Sequence, residues 1–127
     1  MISITEDVID PRVATELLEV GAGSGSVVCH YAQVKPVAGG RSSRGIRFTP
    51  TAETGAEMNA LEESLRRNWK LDGVMLVRRM GELAVGDLIS VVAVAAAGRG
   101  DAFGAVQEAV SGFKKMVSMQ KEEMFDD

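Results

Sequence analysis

Val74-Met-Leu-Val-Arg-Arg79, Gly81-Glu-Leu-Ala-Val-Gly-Asp87 and Leu88-Ile-Ser-Val-Val-Ala-Val-Ala-Ala-Ala97 run consecutively and decide the fold class. The outer two segments are β-branched and apolar, so they read as strands, and the glycine-bounded segment between them reads as their connection. Leu88–Ala97 is apolar on both faces, as a central strand covered on both sides is. It ends at Gly98-Arg99 after ten residues, nine of them apolar, too few to span a bilayer. Downstream, Asp101 is placed to cap a helix whose apolar face is Phe103, Val106, Val110, Phe113 and Val117. Lys114 and Lys115 flank that face near the helix end. Ser118 to Asp127 is polar and charged and carries Lys121.

Upstream, Ile2-Ser-Ile-Thr5 alternates like a short strand. Asp10-Pro11 opens a helix with Val13, Leu17 and Leu18 as its stripe, and Gly21 is placed to end it. Ser26 to Val34 reads as a strand. Lys35-Pro-Val-Ala-Gly-Gly-Arg-Ser-Ser-Arg-Gly45 has the content of a flexible loop, and Ile46 and Phe48 mark another strand. Thr51 or Thr54 caps a helix bearing Met58, Leu61, Leu65 and Trp69 at spacings of three and four. The order β-α-β-β-α-β-β-α is an α+β pattern.

The chain has 127 residues, one domain by length, with no internal repeat and no linker. Its 46 % hydrophobic and 25 % charged composition is that of a globular protein. The net charge of −4 argues against nucleic acid as a partner. The N-terminus has neither the basic nor the apolar region of a signal peptide, so a cytoplasmic protein without a membrane anchor is expected. A single cysteine, Cys29, excludes an internal disulfide, and a single histidine, His30, leaves little for histidine-based triads or metal sites. Both lie in an apolar strand, where adjacent residues face opposite ways, and read as packing.

Chemistry must therefore rest on lysine, arginine and carboxylates. Gly21-Ala-Gly-Ser-Gly25 follows a helix instead of opening one and lacks the Lys-Ser/Thr ending, so it is no phosphate loop. Arg99-Gly100-Asp101 reads as a turn and cap. The cations Lys35, Arg41, Arg44, Arg78, Arg79, Arg99, Lys114, Lys115 and Lys121 fall at loops and element ends, where a site for a small anion is assembled. Solvated surface charge is the simpler account of most of them.

Arg78-Arg-Met-Gly-Glu-Leu-Ala-Val-Gly-Asp87, with the following strand and the Ala102-Phe103 helix start, resembles the large, catalytic subunit of molybdopterin synthase. Gly25-Ser-Val-Val28 and Arg67-Asn-Trp69 extend the resemblance, which covers roughly residues 1–123. It implies an α/β hammerhead-like fold and a homodimer within a heterotetramer. The implied partner is a small ubiquitin-like subunit whose Gly-Gly tail carries a thiocarboxylate. The implied reaction transfers that sulfur to cyclic pyranopterin monophosphate, forming the molybdopterin dithiolene, with no metal and no cofactor. Lys114 falls on the family's catalytic lysine, Lys121 on a second active-site lysine, and Arg99 on an arginine serving the anionic substrate. Lys35, Arg41 and Arg79 complete the expected anion-binding set.

Some positions depart from the family pattern. Gly98 stands where the family has histidine, and Lys35 where it has arginine. Lys35-Pro-Val-Ala-Gly-Gly40 replaces an Arg-x-x-Asn-x-Gly loop, Ile46-Arg-Phe-Thr49 a Leu-x-Tyr-Glu strand, and Ser118-Met-Gln-Lys121-Glu-Glu123 a Pro-x-Trp-Lys-x-Glu segment. A non-catalytic dimeric paralogue that binds a ubiquitin-like tail or small anion is the alternative.

Overall fold

The structure, a computed structural model, describes residues 1–126, apart from the side chains of residues 13–15. In chain order the elements are β1 (Ile2–Thr5), α1 (Pro11–Leu17), β2 (Ser26–Gln33), β3 (Val37–Ala38), β4 (Arg41–Pro50), α2 (Thr54–Asn68), β5 (Gly73–Arg79), β6 (Gly81–Ala84), β7 (Leu88–Ala96), α3 (Arg99–Lys114) and β8 (Met119–Phe125). The fold is α+β, as the sequence pattern implies, with three more strands than the pattern shows.

The main sheet has the order β1-β5-β7-β2. Its two inner strands are the apolar segments β5 and β7, and β7 pairs antiparallel with both β5 and β2. One face carries Val74, Leu76, Val92 and Val94 under α2 and α3, packed with Met58, Leu65, Ala105 and Phe113. The other face carries Met75, Val91, Ala93 and Ala95 under Leu18, Ile9 and Tyr31. The two-sided apolarity of β7 is thus met within one chain.

The smaller sheet is built on β4, which pairs antiparallel with β3, β6 and β8. Three sequence expectations change here. The Lys35–Gly45 stretch is not a free loop: Gly39 and Gly40, at φ 58° and 79°, turn a two-residue hairpin between β3 and β4. The Gly81–Asp87 connection contains a strand, β6. The charged tail is β8, whose polar residues suit a sheet edge where no apolar face is demanded. At Gly45 (φ 151°) a Cβ would lie 2.1 Å from the Leu83 carbonyl oxygen, so β4 and β6 meet there only because glycine is present.

The helices start as capping physics requires, with some shifts. Asp10 accepts from the Arg12 amide at 2.9 Å and Pro11 takes the first helical position. α1 stops at Leu17, well before Gly21, and the Val13 side chain lies outside the described residues. α2 is capped at Glu53 without a side-chain bond, because Thr54 turns inward and its Oγ1 donates to the Ser118 carbonyl at 3.0 Å. α3 begins at Arg99 rather than after Asp101. Its buried face is Ala102, Ala105, Val106, Ala109 and Phe113, whereas Phe103 is 61 % and Val117 88 % exposed. Small residues let α3 lie close to its neighbours, and a Cβ at Gly104 would enter the Trp69 ring at 2.4 Å.

Candidate functional site

Where α3 ends, the two sheets diverge and leave a cleft of about 630 Å³. The main sheet supplies its floor through His30, Ala32, Ser90 and Arg78. Ala32, Ser90 and Arg78 form one cross-strand row, since Ser90 of β7 pairs with both neighbours. Phe113 and Lys114 come from the end of α3, Phe48 from β4, and Met119 and Lys121 from β8. Lys35, just after β2, closes the rim.

Three of the six expected residues therefore meet here: Lys114, Lys121 and Lys35, all exposed at the mouth. The pairing of β8 with β4 brings Lys121 opposite Phe48, which is how the tail folds back toward Lys114. Lys121 also forms an ion pair with Glu123 at 3.3 Å.

The other three lie elsewhere. Arg79 is on the opposite face of the main sheet from its neighbour Arg78, because successive strand residues alternate. It donates to the Glu6 carbonyl at 3.0 Å and sits 3.5 Å from an Asp87 carboxylate oxygen. Arg41 stacks over the Phe125 ring at 3.7 Å, at the far end of β4. Arg99 opens the 16-residue α3 and Lys114 closes it, which sets them about 22 Å apart at the usual rise.

Sequence reasoning missed two cleft residues. His30, read as packing, lines the cleft, and its Nδ1 is buried without a hydrogen-bond partner. Cys29 does pack on the opposite face, where burial pushes its thiol pKa up. Arg78, one of fourteen lysines and arginines in the sequence, is 6 % exposed. Its Nη1 donates to the Phe113 carbonyl at 3.1 Å and contacts Met116 Sδ at 3.6 Å. The rings of Phe48 and Phe113 each lie 5.2 Å from the guanidinium. Burial pulls its pKa below the usual arginine value, and the negative charge of Glu57 opposes that pull. The apolar spacing of β5 was the available signal: a cation placed in register with Leu76 and Val74 must face the covered side of the sheet.

Glu57 holds the junction behind the cleft. One of its oxygens accepts from the Ser118 amide at 3.1 Å and from the Ser118 hydroxyl. The Ser118 hydroxyl is the first cause, and the backbone amides a further one, that keeps the Glu57 carboxyl below its ordinary pKa against some burial. With Thr54, this bond fixes the start of β8 against α2, and so fixes where Lys121 stands. Among the described residues no group of three or more His, Cys, Asp or Glu side chains is arranged to hold a metal ion. No helix of the described residues is long and apolar enough to cross a membrane.

A lysine-rimmed cleft between a helix-covered sheet and a small antiparallel sheet is thus the feature that defines this α+β domain. Residues 4–116 match the MoaE protein family, and the chain belongs to that family, the molybdopterin synthase catalytic subunits of molybdenum cofactor biosynthesis. A molybdopterin synthase catalytic subunit from Cereibacter sphaeroides is 29 % identical over 103 residues, covering 81 % of this chain and 70 % of that one. Molybdopterin synthase from Staphylococcus aureus superposes with a TM-score of 0.88 at 21 % identity, covering 98 % of this chain and 90 % of that one. A complex of subunits 1 and 2 of the molybdopterin-converting factor from Helicobacter pylori contains a chain with a TM-score of 0.71 at 10 % identity, covering 99 % and 90 %. Family membership supports an enzyme role.

Proposed function

We propose that this chain transfers sulfur from the C-terminal thiocarboxylate of a small ubiquitin-like subunit to cyclic pyranopterin monophosphate, forming the molybdopterin dithiolene. The observation that carries the reading is the convergence of Lys35, Lys114 and Lys121 on one cleft, from the turn after β2, the end of α3 and β8. Lys114 is the proposed catalytic group. Its stem leaves the helix beside buried Phe113 while its amine remains at the open mouth, where a partner's extended tail enters. The thiocarboxylate sulfur first bonds to the pterin side chain, displacing an oxygen substituent. Water then attacks the acyl carbon, an amine there relays its proton to the sulfur as the acyl carbon–sulfur bond breaks, and the tail leaves as a carboxylate. Lys35 and Lys121 hold the anionic substrate.

Arg99 joins this set only if a second copy brings it, because its own cleft lies at the other end of α3. A homodimer is accordingly part of the proposal. Light scattering at micromolar concentration is expected to give twice the 13.5 kDa chain mass, and a monomer removes Arg99 from the site.

The deciding experiment supplies thiocarboxylated small subunit and pterin monophosphate and measures molybdopterin. Wild type is expected to turn over. Lys114→Ala is expected to lose about 10²-fold or more in rate, the scale of a lost general acid or base, with stability changed by no more than about 0.5 kcal/mol. Equal rates remove Lys114 from catalysis. A wild type that makes no product with competent partner and substrate leaves the non-catalytic paralogue.

A further inference from the structure

Arg78 is a cation with no carboxylate of its own. Among the described residues no Asp or Glu oxygen lies within ion-pair distance of it, although it is 6 % exposed. The partners it has are a carbonyl, a thioether and two phenyl rings. Its Nε is buried with no acceptor at all. Glu57 acts on it only through space, since the Glu57 oxygen that makes short bonds is given to Ser118. A buried charge in that condition is costly, and the cost falls when an anion pairs with it. Arg79, its neighbour, has the same exposure and an equally unpartnered Nε, but a carbonyl accepts from it and the Asp87 carboxylate lies 3.5 Å away, so its charge is countered.

The guanidinium is also held in place before any ligand arrives. The Phe113 carbonyl fixes one end and the Phe48 and Phe113 rings lie 5.2 Å from it, so little side-chain freedom remains to be lost on binding. It borders the floor of the same cleft whose mouth carries Lys35, Lys114 and Lys121.

We infer that Arg78 is the anion anchor at the floor of the cleft, pairing with a phosphate group of the ligand while the lysines stand at its mouth. This rests on reading the cleft as the substrate site, and adds a residue outside the expected set. A carboxylate offers the same two-oxygen chemistry, so a peptide tail ending in Gly-Gly is the competing source of the anion. The dianionic phosphate is favoured because four cations border the cleft, and Glu123 partners only Lys121 among them.

The test uses inorganic phosphate and, separately, N-acetyl-Gly-Gly as probes. Titration of the wild type is followed by calorimetry and by the Arg78 Nε–Hε resonance. Phosphate is expected to bind saturably and move that resonance. Arg78→Met is expected to weaken phosphate binding at least about tenfold, the scale of a lost hydrogen-bonded charge, with Arg78→Lys intermediate. Absence of saturable phosphate binding overturns the inference, as does binding that leaves the resonance unmoved or Arg78→Met unaffected. A resonance that responds to N-acetyl-Gly-Gly and not to phosphate overturns the phosphate assignment. If Arg78→Met does not fold, the wild-type resonance and Arg78→Lys decide. Failure of the sulfur-transfer reading is seen separately, as Lys114→Ala retaining full rate while phosphate still reports on Arg78.

Discussion

Arg78 and Arg79 are consecutive on β5 and equally buried, yet they lie on the two faces of one sheet and meet different environments. On the Arg78 face, helices of 15 and 16 residues make a dry roof over most of the sheet and stop short at the cleft. On the Arg79 face the cover is the seven-residue α1 and its flanking loops, and Val8, Leu17 and Val20 stay exposed. Arg79 nonetheless finds a counter-charge and a carbonyl, and its role is to tie β5 to the β1 exit and the Asp87 turn. Arg78, under the better roof, finds neutral partners only. Burial alone therefore does not distinguish a structural arginine from a binding one, and neither does an unpartnered Nε, which both have; a carboxylate within ion-pair distance does.

Three measurements sharpen the contrast. Arg79→Ala strands the Glu6 carbonyl and removes a contact with Asp87, so unfolding free energy is expected to drop by about 2 kcal/mol, the scale of a lost charged hydrogen bond. Phosphate affinity is expected to stay unchanged in that variant; a loss comparable to that of Arg78→Met would break the distinction between the two faces.

Glu57 gives a pH-dependent effect of smaller size. Its folded pKa lies below the ordinary value of 4.5, first because the Ser118 hydroxyl donates to it. The folded state thus binds fewer protons than the unfolded state near that value, and stability rises with pH there. The Glu57 contribution is full above about pH 4.5 and is lost as pH falls through the lower folded value. Urea unfolding of wild type and Glu57→Gln is expected to show a gap at pH 7 that narrows at pH 3. A gap independent of pH would mean that the Ser118 bond does not depend on the carboxylate charge.

The smallest effect is expected at Arg47, which bridges Glu82 of β6 and Glu122 of β8 on the exposed side of the small sheet. Exposed pairs of this kind contribute little. Arg47→Ala is expected to leave the melting temperature within experimental error at physiological salt. A clear drop would show that the cleft's second sheet depends on surface charge for its pairing.

Much of this architecture was legible. β5, β7, α2 and the Asp10-Pro11 helix start follow from apolar period and cap chemistry, which are local. β3, β6 and β8 were not, because each exists through pairing with β4 and none carries an apolar face of its own length. The site split along the same line. Lys114 and Lys121 were found through resemblance, and their meeting depends on the β4–β8 register. Arg41 and Arg79 were grouped with them by charge alone, which says nothing about direction. His30 was set aside because a lone histidine in an apolar run usually packs; the strand carries it to the place where α3 no longer covers the sheet.

The pairing of β4 with β8 also sets a timetable. β4 is synthesised before α2, β5, β7 and α3, and its partner emerges after all of them. Until then one edge of a ten-residue strand waits with open amides and carbonyls, the condition in which chains join one another. Pairing strands so far apart in sequence is entropically costly, because the closure is paid for before the contact rewards it. Lys121 rides on that last strand, so the cleft gains its full set of cations only when the last-synthesised strand has paired, and nascent chains lack it.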